Sequence, residues 1–439
     1  MGEAEATTLF APATGFGRAA VSVIRLSGPA AGPVLAALGG PLPPARRLSL
    51  RTLRDPTDGT VLDQALVAFF PGPGTYSGED MAELHLHGGT AVRAGVLAAL
   101  ARQPGCRAAG PGEFTRRAVL NGRMDLAEAE GVADLINAET EGQRRQALRQ
   151  LEGALSRQVA AWREEAIACL ASAEAALDFA DEGDVDDEGL DAALLGRATA
   201  LRDAVAAALA DGRRGERLRE GFWVVLAGEP NAGKSTLLNA LARREAAIVS
   251  DSPGTTRDAI EVRLDLDGLP VVLVDTAGLR DTVEAVEAEG IRRSRARIAQ
   301  ADLVLALVPP GGTPPDLDGA PALVVRTKAD LPGGTGGVDL AVSARTGDGL
   351  PALLDALHAR AEAGLGQGDA LITRARHRDA LARCHGHLDR LCAGVGRGLP
   401  PELAAEDLRL AVRALGEVGG HVGVEDVLDR LFAGFCIGK

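Results

Sequence analysis

Hydrophobic positions change their spacing along this chain, and each change marks a region. Ala20–Leu26, Ala65–Phe70 and Ala82–His87 are short apolar or alternating runs divided by Pro/Gly turns, the pattern of strands. In the last of them Glu83, His85 and His87 share one face, while Ala82, Leu84 and Leu86 share the other. Gly88-Gly89 then predicts a turn into a helix over Thr90–Arg102. From Gly112 to Glu229 no proline interrupts 118 residues, and Leu148, Leu151, Leu155, Val159 and Trp162 recur at steps of three and four. That spacing predicts helices with one apolar face, broken only by an acidic turn at Asp181-Glu182-Gly183-Asp184. Phe222–Ala227, Val271–Val274, Ala322–Val325 and Leu340–Val342 are continuous apolar runs, as expected of strands covered on both faces. Helical spacing returns after Leu371, with Leu408, Val412 and Leu415, then Val427, Leu428, Leu431, Phe432 and Phe435.

The pattern predicts a multidomain chain. Residues 1–118 form an α+β domain, and 119–220 and 366–439 form an all-α domain in two parts. An α/β domain over 221–365 is inserted between those parts. Insertion is economical because the ends of a domain often lie close together; three domains in series is the alternative.

The inserted region carries the clearest chemistry. Gly228-Glu229-Pro230-Asn231-Ala232-Gly233-Lys234-Ser235 fits G-x-x-x-x-G-K-[ST], after a predicted strand and before a helix with Leu237, Leu238 and Leu241 apolar. Its backbone N–H groups can converge on phosphates at the positive end of that helix. Lys234 can reach the β- and γ-phosphates and Ser235 can hold magnesium. Gly254-Thr255-Thr256-Arg257-Asp258, Asp275-Thr276-Ala277-Gly278, Thr327-Lys328-Ala329-Asp330 and Ser343-Ala344-Arg345 follow in order. The last three sit at the ends of predicted strands, where parallel sheets place ligands.

Composition narrows the setting. At roughly 100–200 residues per domain, 439 residues suit about three domains. The five cysteines (Cys106, Cys169, Cys384, Cys392 and Cys436) have no paired spacing, which argues against a disulfide framework and for a reducing compartment. Cys384-His385 with His387 and Cys392 fits no common zinc spacing. Net charge −14 argues against a protein that coats nucleic acid, though local arginine clusters occur at Arg213, Arg214, Arg217 and Arg219 and at Arg292, Arg293, Arg295 and Arg297. No basic-then-apolar leader and no apolar run near 18 residues occurs, so the expectation is a soluble cytoplasmic protein without membrane contact.

In order and spacing, the five nucleotide motifs resemble those of translation-factor-related GTPases. That resemblance implies GTP contacts from Asn231, Ala232, Gly233, Lys234, Ser235, Thr236, Ser250, Thr255, Thr256, Asp275, Thr276, Ala277 and Gly278, with Ser235 and Thr256 as magnesium ligands. On the base side it implies Thr327, Lys328, Asp330, Ser343, Ala344 and Arg345, with Asp330 accepting from the guanine N1 and N2 edge. The chain departs from N-K-x-D at Thr327, which replaces an Asn and can keep one side-chain hydrogen bond at most of those Asn makes.

The flanks are more specific. Val23-Ile24-Arg25-Leu26-Ser27-Gly28, Tyr76-Ser77-Gly78-Glu79-Asp80, Glu83-Leu84-His85-Leu86-His87-Gly88-Gly89, Pro111-Gly112-Glu113-Phe114-Thr115-Arg116-Arg117-Ala118 and Asn121-Gly122-Arg123-Met124-Asp125-Leu126 resemble the N-terminal signatures of the MnmE (TrmE) family of tRNA-modification GTPases. Phe435-Cys436-Ile437-Gly438-Lys439 is similar to that family's C-terminal C-x-G-K. The resemblance implies a homodimer whose N-terminal domain binds a reduced folate, 5,10-methylene- or 5-formyl-tetrahydrofolate, through Arg25, Glu83, Arg123 and Lys439. It implies a flavoprotein partner, MnmG (GidA), which brings FAD, in a heterotetramer that modifies carbon 5 of the wobble uridine of certain tRNAs. Cys436 falls at the family's functional thiol. Leu279 stands where Ras-like enzymes keep a water-orienting Gln. The family instead uses potassium, at positions matching Asn231, Ser250, Ser252 and Thr255, and a catalytic Glu matching Glu287, with Glu284 and Glu289 nearby. The nucleotide motifs taken alone also fit a GTP-driven ribosome-assembly or RNA-binding switch. Such a switch needs neither the folate signature nor Cys436.

Overall fold

The computed structural model describes residues 7–15, 17–179, 192–244, 246–248, 261–275, 298–317, 319–332, 337–366, 370–395, 399–420, 428, 431–435 and 437–438. The acidic turn at 181–184 and the arginine cluster at 292–297 lie outside them. The chain divides into two compact units, Met1–Ala133 with Gly416–Lys439, and Asp134–Leu415.

The first unit is built on a six-stranded sheet of β1 (Thr8–Pro12), β2 (Val21–Ser27), β3 (Ser49–Arg54), β4 (Val61–Phe70), β5 (Met81–His87) and β6 (Cys106–Ala108), in the order β3-β4-β5-β2-β1-β6. Only the β1–β6 pair is parallel. Strict alternation along β5 sends Ala82, Leu84 and Leu86 into a core with Ile24, Leu26, Leu35 and Leu100, and leaves Glu83 and His85 half-buried on the opposite face. Helices α1 (Ala31–Gly39) and α2 (Thr90–Ala101) cover the apolar face. Next come α3 (Glu113–Leu120) and α4 (Leu126–Asn137).

The end of the chain returns to this unit. Leu428, Phe432 and Phe435 are buried with Leu126 and Ala129, and the two phenylalanine rings meet edge to face at 5.1 Å. The apolar partners of Phe432 and Phe435, Leu126 and Ala129, are on α4. Gly112, at φ 64, admits Phe432 because a Cβ there would lie 2.8 Å from the ring. Beyond it Ile437 bridges Pro111 antiparallel.

The second unit begins with α5 (Glu141–Leu151), α6 (Ala154–Phe179), α7 (Ala192–Ala210) and α8 (Gly212–Glu220). A sheet follows: β7 (Phe222–Ala227), α9 (Lys234–Leu241), β8 (Glu261–Leu266), β9 (Leu269–Asp275), β10 (Leu303–Val308), β11 (Ala322–Arg326), β12 (Leu340–Ala341) and α10 (Leu350–Leu365). Then come α11 (Ala375–Val395) and α12 (Pro401–Gly419). The strand order is β12-β11-β10-β7-β9-β8, parallel except for β8 against β9. Val224, Leu226, Leu273, Leu305 and Val325 fill the core on one side of this sheet with Leu237, Leu241, Leu353 and Leu357. Helices from before and after the sheet meet, since α7 packs against both α6 and α11. Cys384 on α11 is core, and burial pushes its thiol up to about 12. His387 pairs with Asp407, and Cys392 contacts the Thr199 hydroxyl.

Helix α5 is seated on the β8–β9 turn. Its start is fixed by a capping box between Thr140 and Gln143. The Gly142 N–H donates to the Gly268 carbonyl at 3.0 Å, and a Cβ at Gly142 would be 2.6 Å from that oxygen. Beside it Arg263 of β8 pairs with Glu139 at 3.1 Å. Gln143 donates to the Arg219 carbonyl, and Arg217 pairs with Asp302 at 2.7 Å.

Candidate functional site

The sheet sets one site at the carboxyl ends of β7, β9, β11 and β12. The loop after β7 turns through Asn231 (φ 64) and Gly233 (φ 97), left-handed conformations that Asn tolerates and Gly favours. Gly233 is the N-cap of α9, so the helix starts where the loop N–H groups converge. Lys234 is buried and folds over the loop, its Nζ donating to the Gly228 and Glu229 carbonyls at 2.9 and 3.0 Å. The Ser235 hydroxyl donates to Asp275 Oδ2 at 2.9 Å, and Asp275, closing β9, has no exposed surface. Together they offer a hydroxyl and a carboxylate oxygen to one point, a donor set suited to a hard divalent cation.

The base side lies across a cavity of ≈ 220 Å³ lined by Leu237, Thr327, Asp330, Ser343, Ala344 and Arg345, with Gly233 and Thr236 at its phosphate-loop edge. Thr327 is buried, and its hydroxyl donates to the Ala232 carbonyl at 2.6 Å, which ties this strand end to the phosphate loop. The single side-chain bond expected of Thr in place of Asn is thus spent on that tie. Lys328, at φ 53, donates from Nζ to the Asn231 carbonyl at 2.9 Å. The Ser343 hydroxyl donates to Asp330 Oδ1 at 2.7 Å. That bond, with the Asp330 backbone N–H and the nearby Arg345 charge, holds the Asp330 carboxyl below its ordinary range, against a small opposing effect of burial. Asp330 therefore stays an acceptor at neutral pH. Thr327→Val should keep the shape but leave the Ala232 carbonyl unpaired, lowering GTP affinity about 5- to 10-fold, the worth of about 1 kcal/mol. Titration of a fluorescent guanine nucleotide measures this, and unchanged affinity would mean that the tie does not set the loop.

Ser250, Ser252, Thr255, Thr256, Thr276, Ala277, Gly278, Leu279 and Glu287 lie outside the described residues.

A second polar cluster occupies the sheet of the first unit. Arg25 on β2 and Glu83 on β5 are cross-strand neighbours, paired at 3.1 Å with both side chains about a fifth to a quarter exposed (24% and 20%). Glu83 also meets His85 Nε2 at 3.2 Å, whereas His87 goes to Asp63 instead. The Arg25 guanidinium lies 5.6 Å from the Tyr76 ring centroid, and Arg123 Nε donates to the Thr75 carbonyl at 3.1 Å. Arg25, Glu83 and Arg123 thus all converge on the 75–79 loop or the strand face beside it.

The sequence assigns no role to the groups that hold this loop. Buried Arg117 donates to both Glu79 oxygens at 3.1 and 3.0 Å and to the Thr7 carbonyl at 2.7 Å. The Ser27 hydroxyl reaches Glu79 at 2.6 Å, and the Tyr76 hydroxyl meets Thr115 at 2.8 Å. Burial raises the Tyr76 pKa, so it stays a neutral phenol. The motifs containing these residues are visible in the chain, but nothing in their spacing pairs Glu79 with Arg117. Gly438, at φ 102, packs so closely that a Cβ would lie 2.0 Å from the Pro12 carbonyl. Pro12 ends β1 opposite Ile24, next to Arg25. Cys436 and Lys439 lie outside the described residues.

The profile of the MnmE helical domain matches residues 126–436, and that of the GTP-binding protein TrmE N-terminus matches residues 8–123. The chain belongs to the MnmE family. It is 77% identical to a tRNA modification GTPase MnmE of Methylobacterium radiotolerans, over 99% of this chain and 100% of that relative. It is 73% identical to one from Methylorubrum populi, over 98% of each. A crystal structure of Aquifex aeolicus Era bound to GDP and AlF4− aligns with 38% of this chain and 66% of its own at 21% identity, with a TM-score of 0.26.

Proposed function

We propose that this MnmE-family chain is a GTP hydrolase of tRNA modification. It works in the cytoplasm as a homodimer with a flavoprotein of the MnmG (GidA) kind. Together they install a carboxymethylaminomethyl or aminomethyl group on carbon 5 of the wobble uridine. One observation carries the nucleotide reading. Lys234 and the Ser235–Asp275 pair lie at one end of α9's N-terminus, and Asp330 with Ser343 lines the cavity at the other, joined by the Thr327–Ala232 bond.

In this reading Lys234 leaves the loop carbonyls for the β- and γ-phosphates, and Asp330 accepts from the guanine edge. Ser235 and Asp275, with Thr256, would hold magnesium, which supplies charge neutralisation to the phosphates when bound. Asn231, Ser250, Ser252 and Thr255 would hold potassium, because Leu279 carries no amide to orient water. Glu287 would position that water, and the 276–278 segment would meet the γ-phosphate. In the first unit, Arg25, Glu83, Arg123 and Lys439 would bind the reduced folate. The carboxylate suits a pterin's donor edge and the cations suit its acceptors. FAD would come on the partner protein, and Cys436, three residues before Lys439 in the sequence, would supply a thiol.

The test is steady-state GTP hydrolysis in matched potassium and sodium buffers, with ATP as control, and tRNA modification in the presence of the flavoprotein. Hydrolysis of GTP alone, at least 10-fold faster in potassium, is expected from charge stabilisation at the scissile bond. Equal rates in both salts would discard the potassium cage and leave the GTPase. Hydrolysis without any modified uridine would return the chain to the class of RNA-binding switches.

A further inference from the structure

Within the second unit a groove of ≈ 410 Å³ runs between α5, α8, the β8–β9 turn and α10. No step of the proposed chemistry uses it. Its α5 wall is polar, with Arg145, Gln146, Arg149 and Gln150 on one helix face at successive turns, and Arg214 of α8 joins them. Gln150 is only 3% exposed, yet its Nε2 has no hydrogen-bond partner among the described residues. Gln146 donates from Nε2 to the Gly215 carbonyl at 2.9 Å, which fixes the amide and leaves its buried Oε1 without a partner among them. Unpaired buried amide atoms are costly, so their presence in a groove wall points to a ligand that completes them. The facing wall adds His358, Asp267 and Glu362. Arg145 has Glu141 at 3.9 Å, and Arg214 pairs with Asp211 at 2.8 Å.

We propose that this groove binds the ribose–phosphate backbone of an RNA strand. This rests on the tRNA reading above. Guanidinium groups suit phosphodiester oxygens, and glutamine amides suit a 2′-hydroxyl, which both donates and accepts. Asp267 and Glu362 on the facing wall can accept hydrogen bonds from the 2′-hydroxyls of such a strand, donors that a bare anion does not offer. A chain of net charge −14 also needs a local cationic surface to hold RNA at all.

The experiment uses the full chain and an unmodified tRNA transcript, with binding measured from 50 to 200 mM salt. The variants are Arg145→Gln with Arg149→Gln, and separately Gln150→Leu. The arginine double variant should weaken tRNA binding at least 10-fold and flatten the salt slope by about 2, one unit for each phosphate no longer neutralised. RNA-independent GTP hydrolysis should not change. Gln150→Leu should narrow the preference for an RNA stem-loop over its DNA counterpart. If the wild-type chain binds tRNA and the arginine variant binds it with equal affinity and slope, the groove is not the RNA surface, and the tRNA reading stands. If the wild type binds no tRNA, with or without the flavoprotein, both fall. Displacement of tRNA by inorganic phosphate well beyond the effect of equal ionic strength would make this a free-phosphate site and overturn the strand reading. Should Gln150→Leu misfold, the arginine pair, Arg145 exposed and Arg149 half-buried, decides alone.

Discussion

Asp330→Asn should cost this chain about 10²- to 10⁴-fold in GTP affinity and raise its affinity for xanthosine triphosphate. In the reading proposed above, the carboxylate accepts two hydrogen bonds from guanine N1–H and N2–H, each worth about 1.5–3 kcal/mol because one partner is charged. An Asn keeps one acceptor and presents an NH₂ group to the guanine amine, donor against donor. Xanthine carries a carbonyl at that carbon, so the same NH₂ group finds an acceptor there. The side chain is exposed at the cavity mouth and its Ser343 partner can donate to the Asn oxygen, so folding should be unaffected. Competition between the two nucleotides on wild type and variant measures the exchange. A variant that still prefers GTP would remove Asp330 from base recognition.

Arg117→Ala should have the largest effect on stability. The residue is 8% exposed, and its guanidinium serves Glu79, the Thr7 carbonyl and the Ser27 carbonyl. Truncation leaves the half-buried Glu79 carboxylate with the Ser27 hydroxyl as its remaining side-chain donor among the contacts described above. Breaking a buried pair in this way costs about 3–5 kcal/mol, more than the pair itself contributes. The chain has one tyrosine, Tyr76, in the first unit, and two tryptophans, Trp162 and Trp223, in the second, so optical probes separate the units. Denaturant unfolding followed at the tyrosine should shift strongly while the tryptophan transition holds. A tyrosine transition displaced by less than about 1 kcal/mol would mean that Glu79 finds water instead.

Much of this is legible in the chain. The phosphate loop, strands β7, β9, β11 and β12 of the second sheet and the two faces of β5 are local patterns, and local patterns survive folding when the core agrees with them; the fully buried run of β10 is equally local but is not among the strands read from the sequence. Strands β1, β3 and β6 escape a reading of periodicity. β1 is five residues ending in proline, β6 is three residues, and edge strand β3 leaves Leu50 65% exposed, which blurs its alternation. β8 does carry a clear period of two at Val262, Leu264 and Leu266, but it follows the Gly254–Asp258 motif so closely that the motif dominates that stretch. Helical spacing continues through Phe435, but spacing does not say which element covers an apolar face, and the packing of Phe432 and Phe435 on Leu126 and Ala129 is seen only in the fold. The Glu79–Arg117 pair, and the Gln146 Oε1 and Gln150 Nε2 that have no partner among the described residues, are facts of tertiary contact, and no window of sequence contains them.

The main-chain contact between Gly142 and Gly268 has a mechanical consequence. Strand β9 runs seven residues from beside that contact to Asp275, a length of about 20 Å. A tilt of about 5° around its middle would move each end by nearly 1 Å. At the Asp275 end that is enough to disturb a hydrogen bond. At the other end there is no slack to absorb it, because two backbones already touch. Salt screens the Arg263–Glu139 pair alongside but leaves a bond between amide and carbonyl largely unaffected. The helix should therefore follow the strand like the short arm of a balance, at any ionic strength.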